Sequence, residues 1–218
     1  MIKDALEQLQ SQIGSAKLLV VTKKRPVRQI REVINAGVKD IGENTLQEIE
    51  EKYDNNLYKE LRMHHVLLHY IGHLQTNKIR KIVRYCDVIQ SVDTLEKAKK
   101  VDQAASDLKK TMPIFLELNL TREEQKHGIP VEPSTSGHYP ELQELIAIIQ
   151  KLPNLKLLGF MCIGKHDDLE KTREVFQTCK QLANLFQLSE LSMGMSEDYP
   201  LAIQEGSTMV RLGRVVFE

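Results

Sequence analysis

The chain has 218 residues, 41% of them hydrophobic, with 30 Lys and Arg set against 30 Asp and Glu. Zero formal net charge argues against a dedicated nucleic-acid or anionic-membrane binder, and no apolar run approaches the roughly 20 residues of a membrane span. Three scattered cysteines, Cys86, Cys162 and Cys179, lack metal-ligand spacing and read as reduced thiols of a cytoplasmic protein.

The opening stretch MIKDALEQLQSQI sets Ile2, Leu6, Leu9 and Ile13 on one face of a charged helix, unlike a signal peptide. Gly14 and Ser15 then turn the chain into KLLVVTKKRP, which organises the rest. Residues 18–21 are apolar in succession, the signature of a strand buried on both faces, as in a parallel sheet. Lys23 follows at the C-terminal edge of that strand, where such sheets collect ligand chemistry. An amine beside low-dielectric core is a candidate nucleophile; the plainer reading is a solvated charge run at a strand end.

Pro26 opens a helix carrying Val27, Ile30, Val33 and Ile34, closed by Gly37. A second strand over residues 38–42 ends at Gly42-Glu43-Asn44, and Thr45 with Glu48 has capping-box spacing. Residues 55–63 are polar and read as containing a loop. A third strand over 66–71 ends at Gly72-His73 and precedes a helix with Ile79, Ile82 and Val83 inward. The fourth strand, 87–92, leads to Asp93 as a helix cap. The fifth, 113–118, enters a polar loop over 121–137 and then a helix with Leu142, Leu145, Ile146 and Ile149. The sixth, 155–163, is followed by a helix from about Asp168. The seventh, 188–191, runs into Ser192-Met193-Gly194-Met195-Ser196. Asp198 and Pro200 start a brief helix ended by Gly206; the eighth strand, 208–212, passes Gly213 and Arg214 to an apolar tail.

Regular strand–helix alternation without a composition break implies a parallel sheet in one domain over residues 1–218. About eight such units in this length fit a closed (β/α)8 barrel, and TKKRPV lacks the glycine fingerprint of a dinucleotide fold. In a barrel the strand ends converge on one mouth, bringing Lys23, Asn44, His73, Ser91, Asn119, Gly164, Ser196 and Arg211 together. Barrels commonly hold phosphate by the loops after strands seven and eight, where this chain offers Ser192, Gly194, Ser196, Gly206, Ser207 and Gly213. A phosphate cradle opposite a lysine points to pyridoxal 5′-phosphate held as a Schiff base.

The blocks VVTKKRP, IGENTLQE, HYIGHLQTNK, QSVDTLEKA, KHGI, LGFMCIG and LSMGMSEDYPLAIQEGSTMVRLGR, in this order along the whole chain, resemble the YggS family of pyridoxal-phosphate homeostasis proteins. The resemblance implies an α/β fold: a single (β/α)8 barrel of the alanine racemase N-terminal-domain type, with an extra N-terminal helix. It implies the covalent link at Lys23, phosphate contacts from Ser196 and the backbone of Gly213, and Arg211 facing the pyridine nitrogen. Asn44 and His73 would line the ring, with Met193 and Met195 as wall. Lys24, Thr45, Leu68 and Arg214 depart from the family's usual threonine, aromatic, tryptophan and threonine, and Arg214 would either bind the phosphate or point away.

Arginine donates to a pyridine nitrogen without protonating it, which leaves a poor electron sink. Racemases with that arginine add a tyrosine from a further C-terminal domain, which this sequence lacks. The expectation is therefore a carrier or regulator in vitamin B6 homeostasis without strong catalytic activity. It would be monomeric and cytoplasmic, with free amino acids and apo-enzymes as amine acceptors, and without metal, nucleic acid or membrane. A pyridoxal-phosphate-dependent amino-acid racemase is the alternative, and a sugar-phosphate isomerase or aldolase is a colourless third.

Overall fold

The computed structural model describes residues 2–123, 125–132 and 137–218. Helix α1 (Ile2–Ile13) lays Leu6, Leu9 and Ile13 into the core, as its spacing requires. It leads to β1 (Lys17–Val21). The chain then alternates α2 (Val27–Asn35), β2 (Asp40–Glu43), α3 (Leu46–Lys52), α4 (Asn55–Met63), β3 (Leu67–Tyr70), α5 (Ile79–Tyr85) and β4 (Val88–Val92). The second half comprises α6 (Leu95–Asp107), β5 (Met112–Asn119), β6 (Ile129–Pro130), α7 (Pro140–Ile149), β7 (Leu155–Cys162), α8 (Leu169–Leu185), β8 (Glu190–Ser192), α9 (Tyr199–Gln204), β9 (Met209–Leu212) and α10 (Arg214–Phe217).

The strands pair in the order β4-β3-β2-β1-β9-β8-β7-β5, and β4 pairs with β5 to close the ring. The pairings around this eight-stranded barrel are parallel. Closure removes the free sheet edges an open arrangement would leave. Alternation along β1 explains its unbroken apolar run. Leu18 and Val20 pack in the large cluster with the helices, whereas Leu19 and Val21 meet Met209 and Ile71 in a separate cluster. A second small cluster joins Val88, Phe115 and Met161.

Four expectations need correction. Residues 55–63 form α4, started by Asp54, whose carboxylate accepts from the N–H groups of Asn56 and Leu57. Asp54→Ala is expected to cost about 1 kcal/mol, read as a lower urea midpoint with an unchanged slope. The cap of α6 is Thr94, which accepts from Lys97 N–H; Asp93 instead pairs with the Lys97 ammonium. Within the polar loop, β6 adds a two-residue pairing to β5 outside the eight-stranded ring, while residues 124 and 133–136 lie outside the described residues. The apolar tail coils into α10. Among the described residues, no helix is long and apolar enough to cross a membrane.

Candidate functional site

Beyond β1 the chain turns sharply, with Lys23 and Lys24 in the turn and Lys24 at φ +59°. Lys23 is exposed at the strand end rather than set against the core. Lys23, Asn44, Thr45 and Glu48 line one cavity of about 510 Å³ with Lys24 and Arg25, so the predicted lysine and asparagine do meet.

The turn is held from behind by the block that follows β2. Thr22 Oγ1 donates to Glu43 Oε1 at 2.7 Å, and Tyr53 O–H donates to the same oxygen at 3.2 Å. The Lys52 ammonium donates to Glu43 Oε1 at 3.1 Å and to the Thr22 carbonyl at 2.9 Å. Lys52 also pairs with Glu48, which accepts the Lys24 N–H at 2.6 Å. Of the capping box, Thr45 accepts from Glu48 N–H, but the Glu48 carboxylate is spent on Lys24. Burial pushes the Glu43 carboxyl up, opposed by Thr22 and the Lys52 charge. The residues flanking Lys23 are thus tied to a buried ion pair rather than left to solvent.

Next to β1, its direct pairing partner β9 carries Arg211, only 5% exposed. Its Nη1 donates to Ser192 O at 2.6 Å and Ser192 Oγ at 2.8 Å, and its Nη2 to Cys162 O at 2.9 Å. Burial pulls its guanidinium below the ordinary value, against Cys162, Asp198 and Glu117, which raise it. Glu117, on β5 and 7% exposed, has no ion pair among the described residues. Burial pushes its carboxyl up to about 7, helped by Asp93 and opposed by Arg211 and Lys97.

After β8 the chain bends at Gly194, whose φ is +93° and whose Cβ, if present, would lie 2.6 Å from Ala202 Cβ. Asp198 then closes the loop by accepting Met195 N–H at 2.6 Å, leaving Ser196 half-buried in the turn. Two of the expected phosphate hydroxyls are otherwise engaged. Ser207 Oγ donates to backbone carbonyls, that of Met193 at 2.8 Å among them, and Ser192 Oγ donates to Gln90 at 2.7 Å. Ser196 and the half-buried Gly213 stay available at the loops. Met193 is fully buried in the large core cluster, whereas Met195 is exposed. Arg214 is exposed and pairs at 2.5 Å with Glu197, the residue after Ser196 in the loop.

His73 is exposed and stacks on His127, ring centroids 3.8 Å apart. Burial and the neighbouring His127 both push its imidazole down, towards the neutral form. Their ring nitrogens and an Asp93 oxygen lie within 4.8 Å of one another, but Lys97 sits 2.7 Å from Asp93 and supplies the positive charge there. His69, by contrast, is 2% exposed inside the barrel, and His64 and His65 are on the surface.

Sequence reasoning missed Glu117, Gln90 and the Glu43–Lys52 pair. The available signal was a lone charged or amide residue inside an apolar strand, FLELN and VIQSV, which a buried strand tolerates only with a partner or a purpose.

The chain matches the alanine racemase N-terminal domain family over residues 1–218. It is 35% identical over 223 residues to the pyridoxal phosphate homeostasis protein of Aquifex aeolicus, covering 99% of this chain and 92% of that protein. The chain belongs to the family of pyridoxal phosphate homeostasis proteins. The solved family member PipY of Synechococcus elongatus superposes over the full length of both chains, with TM-score 0.89 and 31% identity without pyridoxal phosphate. With pyridoxal phosphate bound, PipY gives 0.87 and 30%. An alanine racemase of Clostridium difficile shares the fold at 14% identity and TM-score 0.73, over 99% of this chain and 56% of that one. The family accounts for the closed parallel barrel.

Proposed function

We propose that this protein holds pyridoxal 5′-phosphate as a Schiff base on Lys23, within one domain over residues 1–218. It serves intracellular vitamin B6 homeostasis as a carrier or regulator. The observation that carries the reading is a lysine turn sharing one cavity with Asn44, on the strand that pairs with β9 at the end of the small-residue loop, in a chain 30% identical to a family member whose structure holds pyridoxal phosphate.

The residues fit the group. Asn44 Oδ1 and Ser91 Oγ are buried without a hydrogen-bond partner among the described residues. Such atoms are costly unless a ligand or water satisfies them. Of the five guanidinium N–H donors of Arg211, three are committed to Ser192 and Cys162, which leaves donors for the pyridine nitrogen. Ser196 and the Gly213 backbone hold the phosphate. Asn44 and His73 line the ring, and Met193 backs the wall from the core.

When bound, the cofactor supplies an aldehyde that condenses with amines. Lys23 is exposed, so its side chain lies where solvent-borne amines arrive. Free amino acids and apo-enzymes are the amine acceptors of this reading. Arg211 donates to the ring nitrogen without giving up its proton, which keeps carbanion chemistry weak. The three free, buried thiols of Cys86, Cys162 and Cys179 suit a reducing cytoplasm, and a monomer completes this reading.

Borohydride reduction followed by intact mass and peptide mapping tests the attachment. One reduced pyridoxyl adduct on Lys23, lost in Lys23→Ala, is the expected result; an adduct on another lysine overturns it. A racemase-like enzyme is the second reading, favoured by Glu117, a buried carboxyl whose pKa of about 7 suits proton transfer. Amino-acid racemisation on the order of 1–10³ s⁻¹ would select it.

A further inference from the structure

Behind Arg211 a continuous hydrogen-bond chain crosses the inside of the barrel. Ser192 Oγ accepts from Arg211 Nη1 and donates to Gln90 Oε1 at 2.7 Å. Gln90 Nε2 lies 2.9 Å from His69 Nδ1 and 3.2 Å from Met209 Sδ. His69 Nε2 lies 2.8 Å from Asp40 Oδ1. Asp40 is the first residue of β2, so the chain begins where the strands enter the barrel and ends near the mouth. Gln90, His69 and Ser192 are at most 2% exposed, and Asp40 keeps 14% of its side chain in solvent.

The donors run in one direction. A carboxylate only accepts, so a neutral His69 carries its proton on Nε2 and presents a lone pair at Nδ1. That lone pair requires the amide N–H of Gln90, not its carbonyl. Gln90 Oε1 therefore faces Ser192 and takes its hydroxyl proton, which turns the Ser192 lone pair towards Arg211. Flipping the Gln90 amide would set its carbonyl against a lone pair on His69 and take away the acceptor of the Ser192 hydroxyl proton. Both mismatches are buried, where unmet polar groups are most costly. One orientation therefore satisfies every member, from the guanidinium cation to the carboxylate anion.

We propose that Gln90, His69 and Asp40 are positioning residues that fix the plane of the Arg211 guanidinium against the pyridine nitrogen of the cofactor. The chain makes the electronic setting of the cofactor ring depend on a carboxylate at the far end of the barrel that never touches it. The proposal depends on the reading that Arg211 faces the ring nitrogen, and the experiment separates the two.

The measurement is the ¹⁵N chemical shift of the ring nitrogen in ¹⁵N-labelled pyridoxal phosphate bound to the full chain. It is paired with the ¹⁵N pattern of His69 in cofactor-free protein. Gln90→Leu and Asp40→Ala are expected to move the ring nitrogen towards the shift of a pyridine with no donor. Asp40→Asn, whose carbonyl still accepts from His69 Nε2–H, restores the shift. In cofactor-free protein, wild type shows His69 protonated at Nε2, and Asp40→Ala loses that preference. Arg211→Lys is the control: if it leaves the ring nitrogen unmoved, the placement of Arg211 fails. If Arg211→Lys moves the signal while folded Gln90→Leu and Asp40→Ala do not, the positioning chain is wrong. Should Gln90→Leu fail to fold, the comparison of Asp40→Ala with Asp40→Asn decides alone, and equal shifts in the two overturn the proposal.

Discussion

Glu117→Gln is expected to stabilise the cofactor-free protein by about 3 kcal/mol at pH 8 and by less than about 1 kcal/mol at pH 5. The folded barrel raises the Glu117 carboxyl from 4.5 to about 7, with burial as the largest cause. A carboxyl raised on folding binds its proton more tightly in the native state. Its stabilising contribution is therefore complete below pH 4.5 and is lost as pH rises through 7. Glutamine keeps the shape without ionising, so it escapes the loss, and the gap between the two proteins opens across this window. Glu43 and Asp198 are also raised, chiefly by burial, and add pH dependence of the same sign to both proteins. Subtracting one protein from the other isolates Glu117. Urea unfolding at the two pH values gives the answer, and a difference independent of pH would show that the carboxyl titrates normally in the fold.

The same residue shows where sequence reading reaches its limit. The barrel was legible because its cause is local and periodic. Continuous apolar runs such as LLVV in β1 mark strands covered on both faces, and the amphipathic spacing of α1 and α2 marks the outer layer. Regular alternation of the two leaves few topologies. Helix α4 was lost to its polar composition, although Asp54 two residues before Asn56 is a readable cap. At the mouth, the resemblance picked out Lys23 and Asn44, which the structure brings into one cavity. What it did not convey was the support behind them. Lys24 is tied to Glu48 and Thr22 to Glu43, and Arg211 to Ser192, by contacts between residues about 20 apart in sequence. Those pairings depend on which strand face each side chain takes and on the ring closing, neither of which a linear pattern records. Serines read as phosphate donors, Ser192 and Ser207, were instead consumed by such internal partners.

Gly72→Ala is expected to cost about 3 kcal/mol or more, at the top of the range for forced overpacking. Gly72 follows β3 and packs against the residue that follows β2. A Cβ there would lie 1.8 Å from Asn44 O, 2.5 Å from Asn44 C and 2.8 Å from Asn44 Cα. All three are backbone atoms, so no rotamer change relieves the overlap; the two loops themselves must separate by more than an ångström. That movement pulls on Gly42 through Glu43, the strand end bonded to Thr22 and Lys52, and so reaches the turn that carries Lys23. The loss should therefore appear twice: as a lowered urea midpoint at unchanged slope, and as weakened yellow colour from bound pyridoxal phosphate at a fixed cofactor concentration. Gly213→Ala supplies the scale, because its Cβ would meet Val21 O at 3.3 Å, a contact a few tenths of an ångström of movement absorbs. Its effect on the midpoint should be clearly smaller. Equal midpoints for the two variants would mean that the β2 and β3 loops part freely, and that the close approach of Gly72 to Asn44 does not hold the mouth in shape.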